Sequence, residues 1–168
     1  MTYTIAGVVI PDSALAREAT ELVGAATDDL LFNHSRRAYL WGMLHGRRRG
    51  LEPDPELLYV AAMFHDLGLT PKYRRTDQRF ELDGADAART FLLAHGHSHD
   101  EARKVSLAVA LHITPEIPDR LEPEIALLIA GVATDVVGAA LDGLTAEQIA
   151  EVTTTHPRTG FTDGILHA

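Results

Sequence analysis

Eight apolar residues in a row, Leu57-Leu58-Tyr59-Val60-Ala61-Ala62-Met63-Phe64, run straight into a histidine and an aspartate, His65-Asp66. Asp54-Pro55-Glu56 in front of them is a helix start, with Asp as cap and Pro at the first helical position. The stretch therefore reads as a buried helix that stops near Gly68. An imidazole and a carboxylate left unpaired at the end of such a helix are costly. A divalent cation removes the cost, because both groups are ligands for it. The decisive question is whether further ligands stand elsewhere in the chain.

Helical spacing recurs on both sides. After Asp12-Ser13, which can cap a helix, Leu15, Ala19, Leu22, Val23 and Ala26 follow at three- and four-residue steps. Asp28-Asp29 opens a second helix, carrying Leu30, Leu31, His34, Ala38, Trp41 and His45 to a stop at Gly50. Thr70 to Gln78 is a polar loop, and a helix is expected over about 84–95. His95-Gly96-His97-Ser98-His99 breaks it, and Ser98 or Asp100 caps the next, through Leu111-His112. Pro115 and Pro118 mark a loop. Pro123-Glu124 then opens a helix to Gly138 that is apolar nearly all round and is expected to be central. Thr145-Ala146-Glu147-Gln148 starts the last one. Residues 3–10 have the composition of a strand without a partner, so they read as an arm on the body. The fold class is all-α, a single-domain bundle of six or seven helices, with an N-terminal arm at 1–11, the helical domain at 12–156 and a loose tail at 157–168.

The chain has 168 residues, the size of one domain, and a formal charge of -9. An anionic surface argues against nucleic acid or anionic membrane as a partner. Arg47-Arg48-Arg49 follows a helix end, where cations complement the dipole. There is no cysteine, which excludes disulfides, thiolate metal sites and cysteine nucleophiles and fits a reducing cytoplasm. No apolar run is long enough for a membrane span, and no signal peptide is visible. The expectation is a cytoplasmic protein with a small-molecule substrate, no nucleic acid and no membrane, and an apolar arm compatible with a homodimer.

Any metal must then be held by His, Asp and Glu. His34 lies on the apolar face of its helix, and Asp135 is a lone acid inside Ala130-Gly131-Val132-Ala133-Thr134-Asp135-Val136-Val137. Taken singly, His34 is explained as a hydrogen-bonded core histidine and Asp135 as a salt-bridged core acid. Separate helices each turning a His or Asp inward are how helical bundles build metal sites.

The ordered set His34, His65-Asp66, Asp135 resembles the HD-domain superfamily of all-α metal-dependent phosphohydrolases and their relatives. Asn33-His34-Ser35-Arg36-Arg37-Ala38-Tyr39, Ala62-Met63-Phe64-His65-Asp66-Leu67-Gly68-Leu69-Thr70, Arg79-Phe80-Glu81-Leu82-Asp83-Gly84 and Ala110-Leu111-His112-Ile113 are similar to its cyanamide-hydratase-like branch. The resemblance implies His34, His65, Asp66 and Asp135 as ligands of one divalent ion per chain: zinc, iron or manganese. It implies a hydrolase or hydratase acting through metal-activated water. Asp66, His112 and Glu81 are the catalytic candidates. His112 could be a second-metal ligand, an acid/base or a substrate donor, and Glu81 a proton shuttle or the holder of a ligand imidazole. The plain alternatives are a structural His112 and an exposed Glu81 paired with Arg79. Lys72 and Arg37 could bind an anion or form surface salt bridges. His95, His97 and His99 read as solvated, though this stretch and His112 could supply a second metal site. His45 and His167 read as surface. No acid follows Asp66 in Leu67-Gly68-Leu69, which lowers the case for nucleotide cleavage. The rival readings are a di-iron HD-type oxygenase and a non-catalytic, metal-stabilised helical binding domain.

Overall fold

The structure is a computed structural model that describes residues 3–168. Two short antiparallel strands come first, β1 (Tyr3–Ile5) and β2 (Val8–Ile10), paired Tyr3 to Ile10, Thr4 to Val9 and Ile5 to Val8. This corrects the expected lack of a strand partner over 3–10; residues 1–2 of the arm expected at 1–11 lie outside the described residues. Ala6 and Gly7 take positive φ values of 50° and 75°, the two-residue turn whose twist suits a hairpin. The strand finds its partner in the residues just after it. Ile5 and Val8 are buried, and the Tyr39 hydroxyl donates to the Val9 carbonyl at 2.8 Å, so the hairpin is docked on the chain's own core.

The helices start where capping side chains stand. Ser13 caps α1 (Ala14–Ala26), Asp28 caps α2 (Asp29–Arg49), and Asp54 caps α3 (Pro55–Phe64) with Pro55 in the first turn. After α3 a single 3₁₀ turn, Leu67–Leu69, leads into the polar loop. α4 (Phe80–Ala94) begins earlier than expected, because its first turn holds the acids Glu81 and Asp83, both buried. Ser98 caps α5 (His99–Ala110), and α6 (Pro123–Val137) stops at the left-handed Gly138. Thr145 caps α7 (Ala146–Thr155), and α8 (Phe161–Ile165) is a last short helix. Among the described residues these eight helices and one small hairpin make an all-α bundle.

α3 lies at the centre. Every residue from Leu57 to Phe64 is buried, and α1, α2, α4, α5 and α6 all pack on it. α6, expected to be central, is buried along most of its length against α2, α3 and α5 and is exposed only at Val136 and Val137, at its end. Its inner face packs on α2 at backbone distance. A Cβ on Gly131 would stand 2.1 Å from the Ala38 carbonyl oxygen, and one on Gly42 would stand 2.9 Å from that of Leu127. Gly68 and Gly84 bring α4 equally close to the end of α3: added Cβ atoms would stand 2.0 Å from the Phe80 oxygen and 2.9 Å from the Phe64 oxygen. These contacts fix the places from which α2, α3 and α6 present their polar residues.

Candidate metal centre

His65 and Asp66 follow α3 directly. His65 still has helical φ/ψ, and Asp66 sits at φ −103°, ψ 9°, where the chain turns into the 3₁₀ segment. The turn directs both side chains back toward α2. His34, two turns into α2, meets them there. Its Nε2 lies 3.0 Å from His65 Nε2 and 3.3 Å from Asp66 Oδ2, and His65 Nε2 lies 3.1 Å from the same oxygen. His112, just beyond α5, brings its Nε2 to 3.5 Å from the other oxygen, Asp66 Oδ1. Its ring also stands edge-on to that of His65, centroids 4.8 Å apart. All four residues are buried.

Each imidazole is held by its other nitrogen. His65 Nδ1 donates to the Ala62 carbonyl and His112 Nδ1 to that of Val109, both at 2.6 Å. A carbonyl only accepts, so the neutral forms of these rings present a bare Nε2 toward Asp66. His34 Nδ1 donates to Asp135 Oδ2 at 2.7 Å. The 3.0 Å contact between His34 and His65 needs one proton, and since His65 carries its own on Nδ1, His34 supplies it. The electrostatics agree. Burial opposes charge on His34, but hydrogen bonds to Asp135 and Asp66 outweigh it and raise the ring to about 9. Burial alone would lift the Asp66 carboxyl, yet the imidazoles of His65, His112 and His34 hold it well below the usual range. His65 itself is pushed down, chiefly by burial.

Two imidazole nitrogens and one carboxylate oxygen thus converge on one buried point. That is a place suited to positive charge, and His34, His65 and Asp66 place their ligand atoms within 4.8 Å of one another. Two nitrogens and an oxygen, with no sulfur, suit zinc, iron or manganese. A family model described as the HD domain matches residues 31–152, most of the chain. The chain belongs to the HD-domain family. Proteins with this domain bind divalent metals and are generally metal-dependent phosphohydrolases, and the buried His-His-Asp group of this HD domain fits a metal site.

The remaining candidates fall in different places. Asp135 meets the cluster through His34, its Oδ2 at 2.7 Å from His34 Nδ1. Arg37 is fully buried and grips Asp135, donating from Nε to Oδ1 at 2.8 Å and from Nη2 to Oδ2 at 3.0 Å. It is therefore not a surface cation. Glu81 is buried too, not an exposed acid, and its carboxylate receives the Arg79 guanidinium. Lys72 is exposed, with its ammonium near the Tyr73 ring. His95 pairs with Glu18 and His97 with Glu101, and His99 is exposed. His45, read as surface, is fully buried: its Nε2 donates to Thr134 Oγ1 at 2.7 Å, because that hydroxyl donates onward to the Ala139 carbonyl.

The sequence reading gave no site role to Trp41, Arg158 or Phe161. The Trp41 indole donates to Asp135 Oδ1 at 2.9 Å, and Arg158 Nη1 reaches the same oxygen at 2.9 Å. Phe161 lies 4.8 Å from the His34 ring, centroid to centroid, with the guanidinium groups of Arg37 and Arg158 each 4.9 Å from its own. Spacing was a usable signal for two of the partners, since Arg37 and Trp41 follow His34 at helical steps on one face. The residues after Pro157 carried no such period; they include the short α8, of which Phe161 alone is buried while Leu166 is exposed.

Proposed function

We propose that this HD domain is a metal-dependent hydrolase or hydratase that acts on a small molecule with water as the attacking group. The observation that carries the reading is the buried point shared by His34 Nε2, His65 Nε2 and Asp66 Oδ2. His34, His65 and Asp66 hold the ion. A divalent ion bound there would supply water activated as a nucleophile near neutral pH. Asp66 turns Oδ2 to His34 and His65 and offers Oδ1 to His112. His112, anchored at Nδ1 by the Val109 carbonyl, is placed to take and return a proton at Nε2. Glu81 is engaged by Arg79 and has no part in this scheme.

The motifs around His34, His65 and His112 favour a substrate of the kind the cyanamide-hydratase-like branch takes, a compact molecule with an electrophilic nitrile or amide-type carbon. One ion per chain is favoured over a di-iron oxygenase, because a second iron needs two more histidines. Of the described candidates, His95 and His97 are paired with acids and His99 is exposed, which leaves His112 alone.

The test is turnover of cyanamide, simple amides, phosphomonoesters and phosphodiesters by protein loaded in turn with zinc, iron and manganese. Hydrolysis or hydration that disappears on chelation, returns with metal and is absent in His65→Ala supports the reading. Activity unchanged in a folded His65→Ala sinks it.

A further inference from the structure

Arg36 and Arg37 are neighbours on α2 with opposite surroundings. Arg37 donates from Nε, Nη1 and Nη2 to the Asp135 carboxylate and to two carbonyls. Arg36 is partly buried, and its Nε and Nη1 are buried without a hydrogen-bond partner. Its guanidinium carbon stands 5.4 Å from the Phe32 ring centroid and 5.6 Å from that of Tyr59. The rings attract the cation, but they do not accept the hydrogen bonds its N–H groups can make. Leaving the donors of a charged group unused in a buried place is costly. The missing acceptor therefore comes from outside the chain.

Arg36 lines a cavity of about 270 Å³ where the hairpin, α1 and α2 meet. It stands two residues beyond His34, and so on the other side of α2 from the metal centre. Tyr3, Ile10 and Pro11 give the cavity an apolar wall. Thr20 lines it too, but its hydroxyl proton goes to the Ala16 carbonyl at 2.8 Å, so the Tyr59 hydroxyl, 2.6 Å away, donates to it. Both hydroxyl protons are thus spent within the chain. Arg17 faces Asp12 at 3.6 Å, and both side chains are at least half exposed. That leaves Arg36 as the inner cation. Asp12 and the exposed Glu21 on the same walls repel an anion of higher charge.

We propose that this cavity is a binding site for a small monocarboxylate with an apolar tail. The carboxylate accepts from the Arg36 guanidinium, and the tail lies against Ile10 and Pro11.

The test uses the full chain, stripped of metal with a chelator and desalted, so that no ion at the metal centre competes for the probe. Butyrate is titrated into protein labelled with ¹⁵N-arginine, and the assigned Nε–H signals are followed. The Arg36 signal is expected to move to a plateau with a Kd of about 1 mM, in keeping with two charge-assisted hydrogen bonds. Butyramide, which has the same tail and no charge, should bind roughly 10-fold more weakly or less, as should butyrate to Arg36→Gln. Arg103→Gln, which removes a cation paired with Glu122 at the surface, should bind butyrate as the wild type does. The proposal is overturned by an Arg36 signal that does not saturate, by butyramide matching butyrate, or by equal affinities of Arg36→Gln and wild type. Inorganic phosphate binding as tightly as butyrate overturns the choice of a monocarboxylate. If Arg36→Gln does not fold, the wild-type titrations with butyrate and butyramide decide.

Discussion

His34 does two things with one ring: Nδ1 is spent on Asp135, and Nε2 is turned to His65 and Asp66. His112 has the same design at lower stakes, with Nδ1 on a carbonyl and Nε2 on the free oxygen of Asp66. Because His112 faces the oxygen turned away from His34 and His65, His112→Ala is expected to keep the metal. It should cut turnover by roughly 10²- to 10⁴-fold, the usual worth of a proton-transfer group. Elemental analysis beside steady-state kinetics checks both halves, and loss of the ion would make His112 a ligand. His45 supplies a prediction about acid. Burial, with the nearby Arg49 and Arg48, lowers it to about 4. Its Nδ1 has no hydrogen-bond partner to receive a proton. Above its unfolded pKa near 6.5 the folded and unfolded rings are both neutral, and stability is full. As pH falls below that value only the unfolded chain takes the proton, so stability is lost progressively down to about 4. From pH 7 to 5 this costs about 2 kcal/mol for metal-free protein, and His45→Gln should remove that slope in urea titrations. An unchanged slope would mean that other groups carry the acid response. His34, His65-Asp66 and His112 were legible in sequence because polar residues at helical spacing on apolar faces stand out. Which nitrogen of the His34 ring Asp135 meets was not, because that depends on the depth of a helix crossing.

That depth is set by α2 and α6. Gly131 lies one turn before Asp135 and Ala38 one turn after His34, and they touch through backbone. Gly131→Ala would put its methyl carbon 2.1 Å from the Ala38 oxygen, so the helices must part. The expected loss is about 3 kcal/mol or more, the upper range for overpacking, together with weaker zinc binding as Asp135 withdraws from His34. Gly50→Ala is the control: at φ 68° with nothing within 4 Å it should cost only the left-handed backbone penalty, about 1 kcal/mol, and leave zinc binding alone. Denaturant midpoints and zinc titrations of the two variants separate the effects, and equal behaviour would show that the crossing does not set the site. Helix starts could be read from the sequence wherever a Ser, Thr or Asp caps them. The start of α4 could not, since Glu81 and Asp83 look like loop residues until their burial is known. The hairpin was missed for a related reason. Ala6-Gly7 is a weaker turn signal than Asn-Gly, and one strand was weighed without the next.

On the scale of the whole chain, the first and last segments close the same body. The hairpin buries Ile5 and Val8, and the C-terminal segment lays Phe161 over His34 between two guanidinium groups. No described helix is long and apolar enough to cross a membrane. Phe161→Ala should cost about 3 kcal/mol or more, as other buried Phe truncations do, and should weaken zinc binding by loosening the His34 ring. Thermal unfolding with and without zinc checks it, and an unchanged midpoint would mean that the segment merely rests on the surface. Metal is expected to stabilise the wild type by mass action, about 2.7 kcal/mol at a hundredfold excess over Kd, an increment that a chelator removes. The central claim is that His34, His65 and Asp66 form a cation site. Elemental analysis of wild type and His65→Ala, each saturated with zinc and then desalted, tests it most directly. The account predicts one zinc per wild-type chain and none in a His65→Ala protein whose circular dichroism is unchanged. A wild type without zinc, or a variant that keeps it, would contradict the account.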